Sequence, residues 1–403
     1  MLERDYQPKS FKDVLIEMKD ISELMVDLSY SAILFENKEI AREVVHLEES
    51  MNEMAYQARI TSILGARRLE EAEWMSGMLQ VAEAAEKIAN SASEIAKMVL
   101  RDIKFPAKIK QALPEAEEVT VRLIVARDSP LDGHTLGALK LQSRTGMRVI
   151  AIRRGFGWIY DPEKNSMLVA GDILIAKGLE GGIPLIEEMA GSSVSAGLEM
   201  RTTGGVDDLD RAVRVIVEMK NISELAVGLA YTSLLFGSKE VAHEVAALAT
   251  RMLDMRYQLD LWVLESAKRI ADVEYLRGLL YMSSFAEAIS DAAHAIADVI
   301  LRDIEIPPFF AKIVRESDEI ISRVEIHADS PLAGKSLQEA SLGTVTGMVV
   351  LAIKSGDHWT YRPHKNTRLR VNDIIIAKGR RDGECRLLQL SGKKSEVPVE
   401  CGE

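Results

Sequence analysis

Glu287, Asp291, His294 and Asp298 step along the chain by four, three and four residues, so on a helix all four would share one stripe. Carboxylates one turn apart with an imidazole beside them are a donor set for a divalent transition metal. Asp20, Glu23 and Asp27 offer a second acidic stripe near the amino terminus. A metal ion bound here would draw on Glu287, Asp291, His294 and Asp298 together with Glu23 and Asp27. The competing reading is a solvated helix face, where charges keep a long helix soluble. Other chemistries lack their residues. The seven histidines show no metalloprotease or zinc-finger spacing, and His134, His327, His358 and His364 read as surface or turn residues. There is no Gly-x-Ser-x-Gly elbow and no P-loop, and no nucleophile pairs with a base, so the chain reads as non-enzymatic. Cys385 and Cys401 match no zinc spacing and read as incidental thiols.

The chain states nearly everything twice, at one fixed offset of 201 residues. Glu17-Met18-Lys19-Asp20-Ile21-Ser22-Glu23-Leu24 returns as Glu218-Met219-Lys220-Asn221-Ile222-Ser223-Glu224-Leu225, Asp128-Ser129-Pro130-Leu131 as Asp329-Ser330-Pro331-Leu332, and Thr145-Gly146-Met147 as Thr346-Gly347-Met348. A period this long is a duplicated module with built-in pseudo-two-fold symmetry rather than a solenoid. The acidic stripes diverge between copies. Glu86, Asn90, Ser93 and Lys97 stand where copy two has Glu287, Asp291, His294 and Asp298, while Asp20 and Asp27 become Asn221 and Gly228. A composite site would therefore take one stripe from each copy.

A net charge of −12 and a pI near 5.3 argue against a nucleic-acid partner, which would need a basic face. No apolar run reaches the length of a membrane span, and the amino terminus is too polar for a signal peptide. The chain reads as soluble and cytoplasmic, or peripheral at the inner face of the membrane.

The elements follow from periodicity. Val14, Met18, Ile21, Met25, Leu28, Ala32 and Phe35 alternate spacings of four and three, the seam of a helix in a bundle. Asn37 and Ser238 predict the start of a second helix, each offering a side-chain oxygen to free backbone amides, and that helix runs to about residue 65 in copy one. A third carries Met78, Val81, Ala85, Ile88, Ala92, Ile95 and Val99, with Leu279, Met282, Ala286, Ile289, Ala293, Ile296 and Ile300 as its counterpart. Pro106 and the Pro307-Pro308 pair end the helical parts. Beyond residue 117 the period becomes two, predicting strands at Val119 to Val125, Met147 to Ile152 and Asp172 to Ala176, with helical stretches near Thr135 to Leu141 and Ile183 to Met189. Gly155-Phe156-Gly157-Trp158 and Gly356-Asp357-His358-Trp359 read as hairpin turns with a packing tryptophan. The Gly/Ser-rich stretch after Ala190 reads as a linker, and Ser391 to Glu403 as a polar tail.

A strand followed by Asp-Ser-Pro-Leu, then Thr-Gly-Met, then Pro162 or Pro363, then Gly171-Asp172 or Asn372-Asp373 resembles the RCK C-terminal (TrkA-C) domain of potassium-transport regulators. The helices with Glu-Met-Lys-x-Ile-Ser-Glu-Leu resemble a three-helix half of a PhoU-like domain, and the combination resembles archaeal PhoU/TrkA-C proteins. The expected fold is α+β: two tandem copies of a three-helix PhoU-like bundle, each followed by a small α+β RCK C-terminal domain. The boundaries read as bundle 8–112, RCK C-terminal domain 117–190, linker 191–205, bundle 206–313 and RCK C-terminal domain 318–391. The Rossmann turn Gly-x-Gly-x-x-Gly that precedes this module in most RCK proteins has no counterpart in the sequence.

The resemblance implies a ligand such as cyclic di-AMP in the cleft between paired RCK C-terminal domains. It places that ligand against Arg148, Val149, Ile150 and Pro162 in copy one and Met348, Val349, Val350 and Pro363 in copy two. Apolar side chains would stack on adenine while Arg148 met a phosphate. Val349 stands where copy one has Arg148, so the two sides of the cleft differ. The competing reading makes the valines and isoleucine strand core. The function this implies is regulation of potassium or other cation transport through a membrane channel or transporter subunit, with pairing by pseudo-two-fold or homo-oligomer contacts. The alternative is a PhoU-type, metal-dependent regulator of phosphate uptake.

Overall fold

The computed structural model describes residues 10–106, 109, 112–113, 118–155, 157–194, 208–268, 274–305, 319–356 and 358–392. The linker from residue 195, the Pro307-Pro308 stop, Cys401 and the tail beyond Gly392 lie outside them. Copy one opens with α1 (Phe11–Leu34), α2 (Lys38–Gly65) and α3 (Leu69–Leu100). It continues with β1 (Glu118–Ile124), two short helices α4 (Leu136–Leu139) and α5 (Leu141–Thr145), β2 (Met147–Arg154), β3 (Gly157–Tyr160), β4 (Ile173–Leu179) and α6 (Ile183–Ala190). Copy two has α7 (Asp208–Phe236), α8 (Lys239–Ala267) and α9 (Glu274–Leu301), then β5 (Ile320–Glu325), α10 (Leu342–Thr346), β6 (Val349–Ser355), β7 (His358–Tyr361), β8 (Ile374–Gly379) and α11 (Arg381–Leu390). The architecture is thus α+β, two helical bundles and two small antiparallel sheets.

The helix starts obey the expected capping chemistry. Asn37 accepts from the backbone amides of Glu39 and Ile40 at 2.9 and 3.1 Å, and Ser238 accepts from Val241 at 3.3 Å. The α3 and α9 seams are buried along their whole length. Helix α1 departs from a one-seam pattern, because it is buried nearly all round while Ile21 and Phe35 stay half-exposed. Its polar residues are satisfied locally: Ser22, Ser29 and Ser31 donate back to the carbonyls of Lys19, Val26 and Asp27 at 2.7 to 2.8 Å. Lys19, only 1% exposed, reaches Glu23 at 3.1 Å and lies over the ring of Tyr231, 5.6 Å from its centroid.

The two copies do not fold as separate modules. One compact unit comprises Met1–Phe105 with Ile222–Asp318, and the other comprises Pro106–Asn221 with Glu319–Glu403. In the helical unit α3 packs antiparallel on α9. Gly77, near the start of α3, faces Val299 and Ile304, while Gly278, near the start of α9, faces Lys104 and Phe105. Between these ends Gln80 donates to the Ala295 carbonyl at 2.6 Å.

In the second unit each sheet has strand order first, fourth, second and third (β1-β4-β2-β3 and β5-β8-β6-β7), antiparallel throughout. Inward-facing Val119, Val121 and Leu123 pack with Leu174, Ala176, Ile186 and Met189, so α6 covers one face of the first sheet. The hairpin strands β3 and β7 add to the three strands expected in each sheet. On them Trp158 stacks with Tyr160 and Trp359 with Tyr361, at 5.6 and 5.8 Å. Cys385 on α11 corrects the reading as an incidental thiol, since it is buried and disulfide-bonded.

The glycine at the α3–α9 contact generates a test. Gly-to-Ala in a helix interior ordinarily stabilises by about 1 kcal/mol. A Cβ on Gly278 would stand 3.0 Å from the Lys104 carbonyl oxygen and 3.0 Å from Phe105. Gly278→Ala should therefore fail to stabilise, and Gly278→Leu should lose about 1 to 3 kcal/mol by overpacking, measured by urea unfolding. A gain in stability for Gly278→Ala would contradict the close approach.

Candidate functional site

Two of the motifs behind the resemblance, Gly-Asp or Asn-Asp and Asp-Ser-Pro-Leu, hold turns of the scaffold. Asp172, buried immediately before β4, accepts two bonds from the Arg154 guanidinium at 2.8 and 2.7 Å and one from the Val169 amide at 2.9 Å. Asp373 accepts from the Arg370 amide at 2.7 Å in the same way. Asp132 accepts from the amides of Asp128 and Ala170, closing the Asp-Ser-Pro-Leu turn.

The chemically distinctive place is the seam where the two sheets meet. Gly146 and Gly347, at φ of 74° and 67°, turn the chain from α5 into β2 and from α10 into β6. That turn presents Arg148 opposite Lys177 in the β2–β4 register, and Val349 opposite Lys378 in the β6–β8 register. Arg148, 11% exposed, reaches Asp161 of its own domain at 3.0 Å and Glu319 of the other at 3.4 Å. Lys378 holds the same Glu319 at 2.8 Å, and Lys177 holds Glu118 at 3.2 Å. Burial by itself would raise the Glu319 carboxyl, but Lys378, Arg148 and Lys177 together outweigh it and keep it well below the usual carboxylate range. The carboxylate is thus ionised between cations drawn from both copies. Where copy one has Asp161, copy two has Arg362, which turns instead to Glu218 at 2.6 Å.

The remaining residues expected to touch a ligand are placed unequally. Val149, Ile150, Pro162 and Met348 are buried, whereas Val349, Val350 and Pro363 are half-buried. Ile150 is the extra residue of a β-bulge in β2. Sequence reasoning missed Glu118, Asp161, Lys177, Glu319 and Lys378. Glu118 and Glu319, and Lys177 and Lys378, recur at the offset of the duplication, and that recurrence was the available signal.

The acidic stripes are arranged as helix clasps. Glu287 on α9 is bound by Arg256 of α8, and Glu86 on α3 by Arg59 of α2 at 2.6 Å. The carboxylate keeps its place in both copies while the arginine moves by one helical turn. Asp298 pairs with Arg302 at 2.6 Å, Glu23 pairs with Lys19, Asp291 is exposed, and His294 and Asp27 are half-buried. Among the described residues no three metal-ligating side chains come together.

Residues 120–191 and 321–390 match the TrkA-C domain model, and residues 15–99 match the PhoU domain model. The chain carries a PhoU domain and two TrkA-C domains. The second bundle repeats the helices of the PhoU domain at the offset of the duplication. Among solved structures, PhoU from Pseudomonas aeruginosa is similar at 10% identity, over 75% of this chain and 96% of that one, with a TM-score of 0.39. The GsuK RCK domain is similar at 12% identity over 68% of this chain and 64% of that one, and the GsuK channel bound to NAD at 12% over 79% and 65%, each with a TM-score of 0.18. No curated protein matches the chain. The domain assignments rest on the family models and on the two sheets. No described helix is long and apolar enough to cross a membrane.

The seam makes a prediction with a definite sign. A depressed carboxyl stabilises the fold above its unfolded pKa, and that contribution disappears as pH falls through the folded value. Glu319→Gln should cost about 1 to 3 kcal/mol at pH 7. The difference from wild type should shrink only below about pH 4.5, as measured by denaturant unfolding across pH. A difference that is constant down to pH 2 would remove Glu319 from the seam.

Proposed function

We propose that this chain is a non-enzymatic regulator of potassium or other cation transport, in which the paired TrkA-C domains sense an anionic ligand and the PhoU-type bundles relay the state to a membrane channel or transporter subunit. TrkA-C and PhoU are regulatory domain families. The observation that carries the reading is the shared Glu319, held by Arg148 of one TrkA-C domain and Lys378 of the other. An anion entering this seam would compete with Glu319 and Asp161 for Arg148 and change how the domains hold each other. Such a protein would work in the cytoplasm, at the inner face of the membrane.

Cyclic di-AMP fits as the ligand, with two phosphates for the cations and two adenines for half-buried Val349, Val350 and Pro363. In calorimetry, Arg148→Ala should weaken its binding about 10- to 150-fold through loss of a charge-assisted contact. Glu319→Gln, which removes the competing carboxylate, should strengthen it. No binding heat from wild type near about 100 μM ligand, a concentration at which a Kd in the micromolar range would register, would defeat the ligand assignment.

The transport assignment has its own test, capture of the membrane partner by the full chain. Recovery of a cation channel or transporter subunit is expected. Recovery of a phosphate transporter alone would favour the phosphate-uptake reading, which the clasped stripe at Glu287 supports less well.

A further inference from the structure

The contact between the two TrkA-C domains is built from non-equivalent residues. Duplication places Gln142 opposite Gly343 in the alignment of the copies, Leu179 opposite Arg380, Gly181 opposite Asp382 and Leu185 opposite Arg386. Across the seam these differences interlock. A Cβ on Gly343 would overlap the terminal methyl of Leu179, so Leu179 fills the room that Gly343 leaves. Gln142 donates to the Gly347 carbonyl at 3.3 Å, and its backbone oxygen would stand 2.7 Å from a Cβ on Gly347. Ser143 donates to the Asp382 carboxylate, and Arg386 donates to the carbonyls of Ser143 and, at 2.9 Å, Val345. The reciprocal positions hold no such groups, because copy one has Gly181 and Leu185 there. Gly181 instead sits against Thr344, where a Cβ would be 3.1 Å from the threonine hydroxyl.

We infer that this pairing surface selects the opposite copy: the first TrkA-C domain fits the second, and neither fits a second example of itself. Two first domains face to face would set Gln142 where Gly343 stands, directly against Leu179, and would lose Asp382 and Arg386 as partners for Ser143. Two second domains would set Arg380 against Gly343 in place of a leucine, and with Val349 for Arg148 would strip Glu319 of its guanidinium. Overlap that Leu179 must swing away to relieve disfavours the first combination, and lost contacts weaken the second, which is how specificity is ordinarily enforced. The partner this face takes is therefore a TrkA-C domain of the opposite copy, the one that packs on it within this chain. A third TrkA-C domain has no place on it, and the seam is a single heterotypic site rather than one of two equivalent ones. This inference stands on the packing and is independent of the transport reading.

The test uses full-length chains and the unfolding temperature of the sheet-containing unit. Gly343→Gln, which installs copy one's residue in copy two, should lower it by about 3 to 10 °C, the size expected for overpacking in a unit this large. Adding Leu179→Ala to Gly343→Gln should recover most of that loss, although Leu179→Ala alone destabilises. Adding Arg380→Leu instead, so that copy two carries copy one's pair, should recover nothing. If Gly343→Gln yields no folded protein, Gly343→Ala should show the same sign and the same rescue on a smaller scale. Additive effects of the Gly343 and Leu179 substitutions, or wild-type stability in the Gly343→Gln/Arg380→Leu chain, would overturn the inference.

Discussion

Neither copy can bury its own surface, and every larger feature of the molecule depends on that constraint. Helix α1 is apolar or self-satisfied nearly all round, and two companions in a three-helix bundle cannot cover so much of a helix. Helix α3 carries, beside its seam, a second contact face around Gly77 and Gln80 that finds Val299, Ala295 and Ile304 from copy two. Each sheet likewise ends at a glycine turn that is complete only against the turn of the other sheet. Burying these faces against their own kind, bundle on bundle and sheet on sheet, partitions the chain into units that each contain half of each copy.

The two units use different physics to hold the copies together. Across the bundles the contact is close-packed, with glycine admitting a neighbouring backbone and the buried Lys19 of one copy lying over Tyr231 of the other. Between the sheets a charged cluster around Glu319 stands beside the close fit of Leu179 to Gly343. A carboxylate held among three cations loses much of its Coulombic gain to desolvation, so such a seam adds less to stability than its short distances indicate. It responds strongly, however, to removal of one partner or to arrival of a competing anion. An interface that is modest in net energy and sensitive to charge suits regulation better than a dry one of the same size.

Divergence after duplication shows which symmetry mattered. Glu118 and Glu319, and Lys177 and Lys378, remain as matched pairs, so the charged ladder of the seam is kept on both sides. Where copy one has Arg148 and Asp161, copy two has Val349 and Arg362, and Arg362 pairs with Glu218. At α5 and α10, Gln142 and Gly343 have diverged so that one side fills what the other leaves empty. On the helices the reverse happened: the carboxylate at Glu86 and Glu287 stayed while its arginine moved one turn, from Arg59 to the position of Arg256. One turn leaves the arginine on the same helix face, so the clasp survived a change of residue.

Local patterns in the sequence were sufficient for the elements, because spacing and backbone chemistry act within a few residues. The seams of α3 and α9, the caps at Asn37 and Ser238, the period-two strands and the duplication all lie in the linear order of residues. The short strands β3 and β7 were legible only as hairpin turns, since four residues carry too little periodicity. Of the residues at the seam, Arg148 was legible in the sequence, through the resemblance that places a ligand against the strand after the Thr-Gly turn. Its partners were not, because Glu319 lies 171 residues away and nothing in a linear pattern says which of many carboxylates an arginine will meet. The acidic stripe of α9 reads from spacing as four ligands, yet spacing is blind to Arg256 and Arg302, which occupy two of them. Tertiary structure decided the pairing of like with like, the shared carboxylate and the fit of Gly343 to Leu179. Those depend on the complementarity of surfaces far apart in the chain, which only the folded arrangement brings within contact distance.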